Sequence, residues 1–256
     1  MLRSLGGSWN VASSVARAFA NTYSVSRNIA ALPSAEDRAT VEELYCGWAR
    51  KMLKTLKVGM TVGGAPIMDT PGIFVGNHIS YLDIMTVASL APINFVSKSE
   101  VRGYPIVGRA AEIGGTIFVE RSSNSSKKSV AEAIRKAVLE KGQRMAVFPE
   151  GTTTIDGIPW RQGIFRIAHE NKIPVQAFSL CYRPIRRAAY IDDDHLVWHM
   201  IDLLKQGGVL GEVEFHEPVM IENLKEDPLC LEAWVRERVK VRLADQGWPD
   251  NGPAYV

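Results

Sequence analysis

"FVGNHISYLDIMTV", residues 74–87, begins as a strand and ends as a helix, and the turn between the two carries His78 and Asp83. "GIFVGN" (72–77) is a short apolar run and reads as a strand, and residues 82–90 read as a helix that stops before Pro92. On an unbroken helix a five-residue step rotates a side chain by about 140°, and the pair would diverge. Across a strand-to-helix turn the loop can bring His78 back over the helix N-terminus, within reach of Asp83. Two readings of the pair follow. Ser80 with Asp83 three residues later spells an S-x-x-D capping box. Equally, a carboxylate that accepts from one imidazole nitrogen fixes the tautomer and makes the other nitrogen a base for a hydroxyl or thiol.

Outward from this turn, strands and helices alternate. "INFVSK" (93–98), "GGTIFVER" (114–121), "RMAVFPE" (144–150), "IPVQAFSLCY" (173–182) and residues 211–216 read as strands. Helices are predicted at 126–141, 162–171, 192–208 and 228–246; the first stops at Gly142, and the last opens with Asp-Pro and closes before Gly247. Such an order predicts an α/β fold: a mixed, partly parallel sheet flanked by helices. Two helical stretches precede it, within 9–31 and at 36–57. The chain therefore divides into an N-terminal helical, membrane-surface segment (1–60) and an α/β domain (61–256).

Bulk properties narrow the function. The chain has 256 residues with 46% hydrophobic side chains, enough for a substantial core, and a net charge of +2, too small to indicate nucleic acid as a partner. Cys46, Cys181 and Cys230 lack C-x-x-C spacing and read as reduced thiols, and no set of metal ligands is evident. The longest apolar stretch, "IMTVASLAPINFV" (84–96), is shorter than a bilayer span and contains Pro92. The first 35 residues hold Arg3, Arg17 and Arg27 and no acid, the pattern of an amphipathic surface helix or of an organellar transit peptide. The second helix places Leu44, Trp48, Met52, Leu53 and Leu56 at helical spacing, beside Lys51, Lys54 and Lys57. Those lysines form either a solvated basic face or an edge attracted to anionic lipid.

Ligands of open α/β sheets gather beyond the carboxyl ends of strands. Here one such end carries His78 and Asp83, a second Glu120 and Arg121, and a third Glu150, Gly151 and Thr152. Taken singly, each has a plain structural explanation: a cap, a surface ion pair, a turn. Together they outline one polar site.

With these blocks in order, the sequence resembles the glycerolipid acyltransferase family, which includes the bacterial 1-acyl-glycerol-3-phosphate acyltransferases. "NHISYLD" matches the family's H-x-x-x-x-D block, "KSEVRGYPIVGRAAEIGGTIFVER" the second, "FPEGT" the third and "IPVQAF" the fourth, over roughly residues 47 to 217. The resemblance implies His78 as general base and Asp83 as its orienting partner. It implies Arg121, with Lys98, as cations for an anionic headgroup, and Glu150, Gly151 and Thr152 as the wall of the acceptor pocket. The implied reaction moves a fatty acyl group from acyl-CoA or acyl carrier protein to a lysolipid hydroxyl, foremost 1-acyl-glycerol-3-phosphate, with no resident cofactor and no metal. The implied location is the cytoplasmic face of a membrane, as a peripheral protein, or an organellar membrane if a transit peptide is present.

Two positions depart from the family pattern. Thr153 stands where many relatives have Arg, and Ala177 where a second Pro is usual. The first weakens the expected phosphate grip and admits a lyso-ornithine or other aminolipid as acceptor; the basic run "RPIRR" (183–187) offers replacement charge. An acyl-thioester hydrolase and a non-catalytic lipid-binding module are the competing readings. His195 and His199, four apart on a predicted helix, lack a third metal ligand and read as packing, and His169 and His216 as structural.

Overall fold

The computed structural model describes residues 2–32, 38–103, 107–119, 124–191 and 193–244. Its elements run α1 (Leu2–Ala30), α2 (Arg38–Thr55), β1 (Val58–Gly63), β2 (Ile73–Gly76), α3 (Leu82–Leu90), β3 (Ile93–Lys98), α4 (Val107–Ile113) and β4 (Ile117–Val119). There follow α5 (Asn124–Arg135), β5 (Arg144–Val147), α6 (Gly163–Asn171), β6 (Val175–Arg183), α7 (Ile185–Ala188), α8 (Leu196–Lys205), β7 (Val209–Phe215) and α9 (Asp227–Ala244). The strands among the described residues form one sheet in the order β1-β7-β6-β2-β5-β3-β4. β6 and β7 are antiparallel and the other neighbours parallel, so the expected mixed, partly parallel sheet is what forms.

The centre of the sheet is buried on both faces. All four residues of β2 are buried, as are the first eight of β6. Strands covered by helices on both sides read as continuous apolar runs, which is why these are legible in the sequence. Gly76 closes β2 because its neighbour leaves no room: a Cβ there would lie 2.4 Å from the Phe178 ring of β6. Where β2 ends, Asn77 continues the ladder with its side chain. Its Nδ2 donates to the Leu180 carbonyl and its Oδ1 accepts from the Leu180 amide, both at 2.8 Å. The backbone is thereby released to turn away at His78.

The structure corrects some expectations and adds three elements. β1 is an addition, since its glycines and its largely exposed face give no apolar alternation; it is the sheet edge, parallel to β7. α4, a short helix containing Gly108, and the single-turn α7 are the others. The helix expected from 192 begins at Leu196, so His195 precedes it in an extended conformation and the two histidines do not share a helix face. The apolar stripe of α2 faces inward: Trp48, Met52, Leu53 and Leu56 are buried, and α2 packs on α3. Lys51, Lys54 and Lys57 are exposed, but no apolar stripe accompanies them at the surface.

α1 is built the other way round. It turns Ser14, Ala18, Thr22, Val25 and Ser26 inward and leaves Phe19 and Tyr23 exposed, Tyr23 by 72%. The small inward side chains permit close approach to α2, where the Trp48 indole N–H donates to Thr22 Oγ1 at 2.9 Å.

Candidate active site

β2 and β5 are parallel and in register at Val75 and Val147. Three residues beyond that pair lie His78 and Glu150, and they meet: the His78 backbone N–H donates to Glu150 Oε2 at 2.7 Å. Glu150 is 2% exposed, so this carboxylate braces the backbone of the turn from beneath. Gly151 follows with φ of +80°, a conformation that favours glycine, and lets the chain leave the strand sharply. The Thr154 amide then returns to the His78 carbonyl at 2.7 Å.

His78 Nδ1 lies 2.7 Å from Asp83 Oδ2. The same oxygen accepts the backbone N–H groups of Ile79 and Ser80 at 2.7 and 2.9 Å. Oδ1 accepts the Tyr182 phenol at 2.8 Å. A protonated carboxyl would set its hydrogen against one of these donors, so Asp83 acts as an acceptor only. Nδ1 therefore carries the ring hydrogen, and in the neutral ring Nε2 is the base. Asp83 is fully buried, the His78 side chain is 18% exposed, and Nε2 has no partner among the described residues. The ring stacks on Phe148 at 4.0 Å between centroids with a 9° interplanar angle, which fixes its plane.

The two sequence readings of the pair are thus one arrangement. Asp83 reaches back to the Ser80 amide as a capping-box acid does, and the same oxygen holds the imidazole. The Ser80 hydroxyl does not complete the box; it is buried without a partner among the described residues, and α3 has Tyr81 at its N-cap.

The other candidate residues are placed as follows. Lys98 ends β3, half-buried and without an ion pair among the described residues. Thr152 is exposed and bonds to neither His78 nor Asp83; the contact to the turn comes from Thr154. Glu120 and Arg121 lie outside the described residues. In the basic run, Arg183 pairs with Glu212 at 2.5 Å, and Arg187 donates to the carbonyls of Gln206 and Gly208, so both serve the fold. His199 bonds Tyr81 Oη and the Ala189 carbonyl, and His169 the Ile221 carbonyl. Among the described residues no cluster of three metal-ligating side chains occurs. Tyr182 and Thr86 join the site without a signal in the sequence, since each sits in an apolar run that reads as core.

Comparison with known proteins places the chain in a family. A family model described as Acyltransferase matches residues 56–180, which hold both the His78 turn and the Glu150 loop. The chain is 33% identical over 224 residues to the lyso-ornithine lipid O-acyltransferase of Pseudomonas aeruginosa, covering 83% of this chain and 82% of that one. The chain belongs to the acyltransferase family. This acyltransferase is also 29% identical over 225 residues to the 1-acyl-sn-glycerol-3-phosphate acyltransferase of Neisseria meningitidis, covering 83% and 84% of the two chains. In fold the acyltransferase is similar to the crystal structure of the 1-acyl-sn-glycerophosphate acyltransferase PlsC from Thermotoga maritima, with a TM-score of 0.69 at 19% identity, over 98% of this chain and 99% of that one.

Proposed function

We propose that this acyltransferase moves a fatty acyl group from an acyl thioester, of coenzyme A or acyl carrier protein, to the hydroxyl of a lysolipid at a membrane surface. His78 Nε2 removes the hydroxyl proton as the oxygen attacks the thioester carbonyl. The tetrahedral intermediate then collapses, the carbon–sulfur bond breaks, and the His78 imidazolium returns the proton to the thiolate. Asp83 orients the ring and offsets its positive charge during the step. Proton transfer and acyl transfer of this kind call for no resident metal or cofactor. The observation that carries the reading is the 2.7 Å contact between His78 Nδ1 and Asp83 Oδ2, with Nε2 unpartnered among the described residues.

The favoured acceptor is 1-acyl-glycerol-3-phosphate, with Lys98 and Arg121 as the cations for its phosphate and Gly151 and Thr152 lining the pocket beside Glu150. A lyso-ornithine lipid is the second reading, favoured by Thr153 and by the Pseudomonas aeruginosa relative. An ornithine headgroup presents a carboxylate and an amine in place of a phosphate and asks for fewer cations.

Membrane attachment is proposed to be peripheral, on the cytoplasmic face, through the segment 1–60. No described helix is long and apolar enough to cross a bilayer, while α1 exposes Phe19 and Tyr23 and the first 35 residues contain no acid. Exposed aromatics beside arginines suit a headgroup interface.

The test is an acceptor panel: purified protein, radiolabelled acyl thioester, and lipid chromatography of the products. Acylated lysolipid is expected, with the phosphate acceptor used fastest. Free fatty acid released regardless of acceptor would make the protein a thioester hydrolase, and saturable lysolipid binding without product a binding module.

A further inference from the structure

Tyr182 lies on β6 and is fully buried. Its phenol donates to Asp83 Oδ1 at 2.8 Å, and Thr86 Oγ1 is 3.2 Å from the same phenol oxygen. Thr86 follows Asp83 by three residues on α3, so the two side chains share a helix face and Tyr182 reaches between them. Space for the ring is provided by Gly211 on β7, the registered partner of Tyr182; a Cβ there would lie 3.1 Å from Tyr182 Cε1.

We propose that Tyr182 is a positioning residue of acyl transfer: its phenol, backed by Thr86, holds Asp83 in the orientation and charge balance that set His78 as the base. This rests on the reading of His78 as the base.

Three donors crowd Asp83 Oδ2, the His78 ring and the amides of Ile79 and Ser80. Oδ1 faces a different side, and Tyr182 is its donor. A buried tyrosine hydroxyl needs a partner, and a buried carboxylate oxygen without a donor is costly. Burial first, and then the charge of Asp83, push the phenol well above its ordinary range, so it remains a protonated donor. With both oxygens engaged, the carboxylate cannot rotate about its terminal torsion, and part of its charge is taken up away from the imidazole. Removing the phenol does two things. The carboxylate loses its anchor on one side, which blurs the ring's aim. Its charge is also less neutralised, so it holds an imidazolium more tightly and the ring gives up its proton less readily. Among the described residues, the polar groups that bond to the dyad from the surrounding elements include Tyr182 from β6, Thr86 from α3 through the Tyr182 phenol, and Glu150 from the β5 loop through the His78 amide.

The experiment measures kcat and KM for thioester and acceptor across the pH range, with the full chain as wild type, Tyr182→Phe, Thr86→Val and His78→Ala. Tyr182→Phe is expected to lower kcat on the order of tenfold, with both KM values near wild type because the phenol touches no substrate. The acidic limb of its kcat profile should move to higher pH. Thr86→Val should move the limb in the same direction by less. A folded Tyr182→Phe with an unmoved limb overturns the proposal, whether its kcat is normal or reduced, since lost packing alone does not shift that limb. If Tyr182→Phe does not fold, Thr86→Val decides, and an unmoved limb there overturns it. Inactive His78→Ala beside an unmoved limb removes only the role of Tyr182; active His78→Ala removes the base assignment itself.

Discussion

Asp83 meets two demands with one carboxylate: it ties down the amides at the start of α3 and it holds the His78 ring. An Asp83→Asn change tests this duality. The amide keeps the shape but removes the negative charge that offsets the imidazolium, and it leaves only one acceptor oxygen for the ring. The expected result is a fall in kcat of about a thousandfold, with the fold retained, read in single-turnover acyl transfer. Lys98→Ala belongs to the same scale: KM for an anionic acceptor should rise about tenfold while KM for the thioester stays near wild type. The pair His78 and Asp83 is legible in sequence because turn chemistry and acid–base chemistry both ask for a carboxylate at that position. Tyr182 is not, because in sequence it is one more apolar strand residue, and only the register of β6 reveals where its hydroxyl ends.

At the level of elements, the parallel register of β2 and β5 sets the site. Equal three-residue extensions beyond Val75 and Val147 bring the His78 amide onto the Glu150 carboxylate. On its other edge β2 approaches β6 closely at Gly76, the partner of Phe178. Gly76→Ala would force a methyl into the Phe178 ring and should destabilise the protein by about 1–3 kcal/mol in denaturant unfolding, with activity falling faster than stability as the turn is displaced. The central strands can be read from their apolar runs alone. β1 cannot, since an edge strand with glycines near both ends carries no periodic signal. The inward stripe of α2 is visible as a helix face, yet its direction is not. A helical stripe looks the same whether it meets lipid or a neighbouring helix, and here the neighbour is α3.

For the whole molecule, the burial pattern sets two exposed aromatics of α1 apart from the core, and the proposed membrane attachment rests on them. Phe19 and Tyr23 stand outside while the hydroxyl-rich face of α1 is turned inward. Replacing both with Ser should weaken binding to vesicles of anionic lipid by about tenfold and leave the thermal midpoint nearly unchanged. The three cysteines report the same partition. Cys46 and Cys181 are buried, with the Cys181 thiol pushed up to about 11 mainly by burial and secondly by the Glu212 charge, whereas Cys230 is exposed. A thiol reagent should therefore label Cys230 alone in the native protein and all three only after unfolding. The measurement that bears most directly on the whole account is acyl transfer to a lysolipid by His78→Ala, with circular dichroism and vesicle binding recorded on the same preparation. A folded, membrane-binding protein with no transfer above background is the predicted result. Transfer at the wild-type rate by that variant would contradict it.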